Sequence, residues 1–165
     1  MQNRGIYKIK EQFFEDFPDE NLKENKGENR PCYYCFRDVK SDLLWMIPMS
    51  NQIEKYKRII EERQKKNKPC DILHVAKLDN GRESAFLIQD IFPVSEKYIL
   101  SEYTFNGNAL TITSDALAET IEHKAKTILL LIRKGLKLLN TQADILKIEK
   151  ELLSILNMQN ETLRT

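Results

Sequence analysis

Two apolar runs separated by a polar turn mark the most regular part of the chain. The first run, residues 31–39, is rich in aromatic and other β-favouring residues, and the second covers residues 43–49. Lys40-Ser-Asp42 between them has the composition of a turn. The pattern therefore predicts an antiparallel hairpin.

Helical spacing begins directly after this hairpin. Ser50 is well placed to cap a helix, and Lys68-Pro69 is a stop signal. Apolar residues recur on one face between these limits, at Ile53, Tyr56, Ile59 and Ile60. The remaining positions are mostly charged, so we expect one buried and one solvated face.

The second half of the chain alternates in a similar way. Residues 72–78 and 83–93 are joined by Asp79-Asn-Gly-Arg82, a strong hairpin signal, and Asn106-Gly-Asn108 predicts a shorter hairpin. Ser114 is expected to cap a third segment with helical spacing, and Thr141-Gln-Ala-Asp144, which resembles a capping box, is expected to start the last helix. The sheet then has at least four strands. Residues 6–14 are short and mixed, and residues 16–29 are expected to form a long polar loop.

Length and charge limit the classes of protein that the chain can belong to. With 165 residues and 41% hydrophobic content, we expect one domain spanning residues 1–165. Lys and Arg number 26 against 25 Asp and Glu, so any nucleic-acid site must be a local cluster of charge. The first residues lack the apolar core of a signal peptide, and no apolar run is long enough to span a bilayer. We therefore expect a cytoplasmic protein with no membrane partner.

The three cysteines and the dispersed acidic residues give little support for a metal site. Cys32 and Cys35 are separated by two residues but lack a second pair at zinc-finger spacing, and strand geometry places them on opposite faces. With Cys70 they are predicted to be core thiols. Because the acidic residues form no tight cluster in the sequence, we expect a function that requires no metal and no cofactor.

The order of four motifs resembles a known family. They are Arg30-Pro31 before an aromatic strand, Ile47-Pro-Met-Ser50, Ile88-Gln-Asp-Ile-Phe-Pro-Val94 and Glu122-His-Lys-Ala125. In this order and spacing, residues 4–137 resemble the ToxN/AbiQ endoribonuclease toxins of type III toxin–antitoxin systems, and most closely the CptN branch. The resemblance implies an α+β fold with an antiparallel sheet of about five to six strands in a compact barrel flanked by helices.

The resemblance also implies an activity and its partners. The expected activity is metal-independent cleavage of adenine-rich single-stranded RNA in cellular messages, leaving a 2′,3′-cyclic phosphate. The expected inhibitor is a small repeat antitoxin RNA that the toxin itself processes, within an RNA-bridged homo-oligomer. Two alternatives remain: a non-catalytic RNA-binding module, and a structural partner protein whose last helix packs on a second copy.

The predicted catalytic residues surround the start of the first long helix. A hydroxyl at a helix start lies beside unpaired N–H groups and the positive end of the helix dipole, which favours bound phosphate. The resemblance matches Ser50 to this hydroxyl and Lys55 to a nearby lysine, and Asn51 stands where many relatives have a second hydroxyl. Arg30 is expected to clamp a phosphate, although simple capping by Ser50 and a solvated Arg30 are the structural alternatives.

Six further residues are predicted to contact RNA. Either Tyr33 or Tyr34, on opposite faces of a strand, could stack on a base, and Tyr34 is preferred. His74 could act as a general base or as an ordinary core histidine. Lysine and arginine side chains are expected to hold the RNA backbone, although Lys40 should lie at the hairpin end opposite Ser50; these are Lys26, Lys40, Lys57 and Arg58.

Overall fold

The computed structural model describes residues 1–162, in which nine strands and four helices are present. The strands are β1 (Ile6–Ile9), β2 (Cys32–Arg37), β3 (Leu44–Ser50), β4 (His74–Lys77), β5 (Glu83–Phe86), β6 (Phe92–Val94), β7 (Ile99–Glu102), β8 (Thr104–Phe105) and β9 (Asn108–Ala109). The helices are α1 (Glu11–Asp16), α2 (Ile53–Lys65), α3 (Asp115–Arg133) and α4 (Ile145–Thr162).

Seven of these strands form one antiparallel sheet. Its order is β4-β5-β3-β2-β1-β7, and β6 also pairs with β3. The predicted α+β class and all three predicted hairpins are confirmed, namely β2–β3, β4–β5 and β8–β9. The sheet has more strands than the five to six expected, because the mixed segment at residues 6–9 and residues 99–102 also pair. Within residues 1–162, β4 and β7 do not pair with each other, so the sheet does not close fully into a barrel.

The segment predicted as one strand over residues 83–93 is two strands. β5 pairs with the end of β3 at Met49 and Ser50, whereas β6 pairs with its beginning, and a short 3-10 turn at Ile88–Asp90 separates them. Pro48 lies between the two paired regions, and its carbonyl accepts a hydrogen bond from Leu87 N (2.9 Å). Because Pro48 has no N–H, it cannot continue the ladder by donating to a neighbouring strand.

Two predicted helix starts require correction, and one is confirmed. Ser50 does not cap α2: it ends β3, and its Oγ accepts a hydrogen bond from Gln52 N (3.2 Å). The last helix begins at Ile145, later than predicted, where Asp144 Oδ1 accepts from Lys147 N (3.1 Å). Ser114 caps α3 as expected, because its Oγ accepts from Leu117 N (3.2 Å).

The helices cover the sheet and bury a common hydrophobic core. α3 packs on β2, α4 packs on β6, and α2 packs on β4 and β5. The last helix therefore buries its apolar residues Ile148 and Leu152 against its own chain, and their burial needs no second copy of the protein. No helix among residues 1–162 combines the length and hydropathy needed to cross a bilayer.

Candidate functional site

Two adjoining cavities lie where β3 ends. Ser50 and Lys26 line both of them, so we treat the pair as one feature, the Ser50 cleft. The first, here called the aromatic cavity, measures about 170 Å³ and lies between the β4–β5 and β8–β9 hairpins. The second, here the polar cavity, is larger, about 750 Å³, and extends along the start of α2.

The long loop before β2 is held firmly although it has no helix or strand. Asn25 is buried, and its Nδ2 donates to Ile9 O (3.0 Å) and to Glu11 Oε2 (2.8 Å). Its backbone carbonyl accepts from the backbone N–H groups of Asn29 and Arg30. The next residues, 26–28, have left-handed φ angles of 54° to 62°. Such conformations persist only when surrounding contacts enforce them, and here they turn the exposed Lys26 toward the cleft.

Arg30 fastens this loop to the end of β3. Its side chain is buried, its Nη1 donates to Met49 O (3.1 Å), and its Nε donates to Glu24 O. It is therefore not a solvated loop arginine. Because Arg30 also lines the polar cavity, its charge contributes to the potential there while two carbonyls fix its position.

The remaining predicted catalytic residues follow β3 directly. Ser50 is 7% exposed and borders both cavities, Asn51 is exposed and lines the aromatic cavity, and Lys55 lines the polar cavity. Lys55 Nζ lies 5.3 Å from the ring centroid of Tyr56. The structure thus places a hydroxyl, an amide and cationic side chains around one cleft, a combination suited to a phosphodiester backbone.

Three of the predicted RNA-contacting residues lie elsewhere. Tyr34 is 6% exposed, because the residues from Cys32 to Cys35 are buried on both faces of an interior strand, and its ring offers no free stacking face. Lys40 is in the β2–β3 turn, at the end of the hairpin opposite Ser50. His74 lines a different cavity, which shares no lining residue with either part of the Ser50 cleft.

His74 is partly buried at the wall of its own cavity, away from Ser50, so it is placed neither as a core histidine nor as a general base beside Ser50. Burial lowers the pKa of its imidazole, and the nearby Lys124 lowers it further. Lys124 Nζ donates to the carbonyls of Cys70 and Leu73, which form part of the same wall.

Lys57 and Arg58 lie on α2 but are not among the residues lining the cleft. Lys57 Nζ pairs with Glu83 Oε1 (3.0 Å), and Glu83 is itself part of the aromatic cavity. Arg58 is exposed on the same helix. Both remain candidates for RNA contact outside the cleft, although the carboxylate of Glu83 offsets part of the charge of Lys57.

The cysteines are free thiols, and two of them are fully enclosed. Burial raises the pKa of Cys32 to about 12 and also raises the pKa of Cys35, so both thiols are protonated at neutral pH. Cys70 is partly buried. Among residues 1–162, no three His, Cys, Asp or Glu side chains are grouped closely enough to hold a metal ion.

Several residues of the cleft were not identified from the sequence. Asp90 lines the polar cavity, its Oδ2 has no hydrogen bond, and Lys23 Nζ lies 4.0 Å from it. Burial raises the pKa of this carboxyl group, although Lys23 and Arg30 oppose the shift.

In the aromatic cavity, the Arg82 guanidinium lies over the ring of Phe105, 4.7 Å from its centroid, and Tyr103 is a neighbour. Both Asn-Gly turns were recognised in the sequence, but nothing in it indicated that they meet.

Fold and cleft together define an antiparallel α+β protein with a basic, hydroxyl-bearing groove. Comparison with solved structures finds a similar fold in AbiQ, described as a lactococcal anti-phage endoribonuclease belonging to the type-III toxin-antitoxin system. The TM-score is 0.69, with 13% sequence identity, over 95% of this chain and 99% of the AbiQ chain. Neither protein-family models nor curated protein sequences give a match. At this identity the likeness establishes the fold.

Proposed function

We propose that this chain is the toxin of a type III toxin–antitoxin system: a cytoplasmic, single-domain endoribonuclease that cleaves adenine-rich single-stranded RNA without a metal. The observation that carries the proposal is the similarity of nearly the whole fold to AbiQ, together with a cleft at the end of β3 that combines Ser50 with lysine and arginine side chains. Fold similarity alone does not define an activity, so the chemistry of the cleft is the second support.

The proposed reaction is an internal transfer of the phosphodiester. The 2′-oxygen of one nucleotide attacks the adjacent phosphorus, a P–O2′ bond forms, and the P–O5′ bond breaks. The proton leaving the 2′-hydroxyl is balanced by one delivered to the 5′-oxygen, which gives a 2′,3′-cyclic phosphate and a 5′-hydroxyl. Ser50 donates a hydrogen bond to a phosphate oxygen, while Lys26, Lys55 and Arg30 stabilise the negative charge that develops there.

We further propose that the inhibitor is a small repeat RNA processed by this enzyme and retained in the Ser50 cleft. A groove that positions a phosphate for cleavage also fits the end of a folded RNA that the enzyme has cut from a precursor. Inhibition then needs no conformational change, and binding of antitoxin and substrate is mutually exclusive. Such RNA segments would bridge several copies of the protein into a homo-oligomer.

Cleavage in the absence of divalent ions tests the activity. Purified protein in EDTA should cut an unstructured adenine-rich RNA into discrete fragments that end in a 2′,3′-cyclic phosphate, identified by mass spectrometry. Ser50→Ala protein prepared in parallel controls for contaminating nucleases. Binding without cleavage would favour the non-catalytic RNA-binding module, and activity lost in EDTA but restored by magnesium would refute the metal-independent mechanism.

Competition tests the shared cleft. The probe is a labelled RNA with 2′-deoxyribose at the cleavage position, which cannot be cleaved because it has no attacking hydroxyl. The antitoxin RNA should displace this probe completely from the protein. A stable ternary complex of protein, antitoxin and substrate would show that the two RNAs occupy separate sites.

A further inference from the structure

The aromatic cavity has a construction that phosphate binding does not explain. Its floor is apolar, with Ile6, Met49 and Leu110, and its rim carries Ser50 and Asn51. A phosphodiester backbone needs cations and N–H donors, not an apolar floor. A nucleobase, in contrast, has an apolar face and a polar edge, so this combination matches a base.

One wall of the cavity carries two planar groups, the guanidinium of Arg82 and the ring of Phe105. Arg82 is exposed, its guanidinium lies 4.7 Å from the Phe105 ring centroid, and no carboxylate pairs with it among residues 1–162. Phe105 is partly exposed on a hairpin whose other residues are mostly exposed. Tyr103 adds a second partly exposed ring, and Lys8 Nζ lies 6.0 Å from its centroid, which leaves the opposite face for a base. Aromatic rings and arginine planes are the groups on which proteins stack unpaired bases.

The two hairpins that carry this wall, β4–β5 and β8–β9, are fixed relative to Ser50. Tyr103 N donates to Ile6 O (2.7 Å), and Ile6 N donates to Leu110 O (3.0 Å), which ties the β8–β9 hairpin to β1. On the opposite side, Asp79 Oδ2 accepts from Thr113 N (3.0 Å) and holds the β4–β5 turn in place. The slot is therefore formed before any ligand binds, which reduces the entropic cost of binding.

We propose that the aromatic cavity binds one unstacked nucleobase of the substrate, between the Arg82–Phe105 wall and Tyr103, while the adjoining phosphate lies at Ser50. The inference rests on the proposed function and adds the recognition element to it. It also supplies a physical reason for a preference for single-stranded RNA, because a base inside a duplex must first be unpaired and unstacked, at a cost in free energy, before it can enter the slot.

Removing single bases from the RNA tests the slot. With the 2′-deoxy substrate and wild-type protein, an abasic site should lower affinity roughly 5- to 100-fold at one position beside the cleaved bond and much less elsewhere, the range expected for one stacked base. Phe105→Leu keeps the apolar volume without the ring, and Arg82→Lys keeps the charge without the plane. Each should weaken binding of the intact RNA but have little further effect on the RNA abasic at that position.

The controls separate this inference from the proposed function. Phe105→Tyr retains a ring and should bind normally, and Lys147→Ala removes an exposed cation on α4, away from the cleft. If Phe105→Leu and Arg82→Lys weaken intact and abasic RNA equally, or neither weakens intact RNA, the slot is refuted although cleavage stands. If wild-type protein cuts no RNA, the proposed function itself fails. Thermal unfolding of each variant verifies that the hairpin substitutions leave the protein folded.

Discussion

Ser50 combines a local structural bond with the proposed contact to phosphate, and substitution separates the two. Ser50→Ala removes the acceptor for Gln52 N, which should cost about 1 kcal/mol of folding free energy. Loss of the hydroxyl at the phosphate should lower the cleavage rate by roughly 100-fold or more. Initial rates on a single-stranded RNA and thermal unfolding measure the two effects.

A second serine provides the matched control. Ser41 Oγ accepts a longer, weaker bond of the same kind from Leu43 N (3.5 Å) in the β2–β3 turn, far from the cleft. Ser41→Ala should lose no more stability than Ser50→Ala and should keep full activity. Full activity in Ser50→Ala would remove that hydroxyl from the mechanism.

Ionisation of Asp90 should lower the stability of the folded protein at neutral pH, a contribution that is absent in acid. Burial raises the pKa of its carboxyl group in the folded state, so folding penalises the ionised form. This penalty is absent below the unfolded pKa of about 3.9 and develops as the pH rises through the folded pKa. Asp90→Asn should therefore raise the free energy of unfolding at pH 7, by roughly 1 kcal/mol. Denaturant titrations of wild-type and Asp90→Asn protein at pH 7 and in acid check this. The difference between their free energies of unfolding should shrink at low pH. An equally large gain in stability at both pH values would point to a cause other than ionisation.

At the level of elements, α3 and α4 are joined by one bidentate ion pair. Arg133 donates from Nη1 to Glu149 Oε2 (2.9 Å) and from Nη2 to Glu149 Oε1 (2.8 Å), and the Glu149 side chain is 11% exposed. Arg133 also lies 5.8 Å from the Trp45 ring centroid. Arg133→Ala should destabilise the protein by about 2 kcal/mol, because it leaves a nearly buried carboxylate without its partner.

The exposed pair Lys126–Glu122 on α3 serves as the comparison, since Lys126→Ala should cost less than about 0.5 kcal/mol. Replacing Arg133 and Glu149 together by apolar residues should recover much of the loss. Equal effects of Arg133→Ala and Lys126→Ala in denaturant titrations would show that the bidentate pair adds nothing to the packing of α4. Neither variant should change cleavage below its unfolding temperature, because both residues lie outside the cleft.

At the scale of the whole molecule, RNA binding depends on how folding distributes a nearly neutral charge. The formal net charge is +1, so attraction for a polyanion has to come from the cluster around Ser50. Lys26→Ala and Lys55→Ala should each weaken RNA binding and reduce the slope of log affinity against log salt by about 0.7 to 1. Lys40→Ala removes the same charge at the opposite end of the β2–β3 hairpin and should leave the slope unchanged. Equal slopes for all three variants would place the RNA elsewhere on the surface.

The sequence by itself determined those features that depend on neighbouring residues. Several features involve only residues a few positions apart, so they can be predicted from the sequence. They are the Asn-Gly turns, the Ser114 cap and the apolar spacing of α2 and α3. The same holds for Ser50, Asn51 and Lys55, which lie near the cleft because β3 leads directly into α2. Lys26 and Arg30 were also anticipated, since the loop enters β2 beside the end of β3.

Only the tertiary structure decided which distant residues complete the cleft. Tyr34 is buried because both faces of β2 are covered, and His74 lines another cavity, and neither fact depends on residues adjacent in sequence. Asp90 enters the polar cavity because the ladder of β3 is interrupted at Pro48 and the chain turns there. Arg82 and Phe105 belong to two separate hairpins, and their contact arises from the backbone hydrogen bonds and the Asp79–Thr113 contact that fix both hairpins in the fold. Local patterns specify elements, whereas the meeting of elements depends on long-range packing and pairing that no single segment encodes.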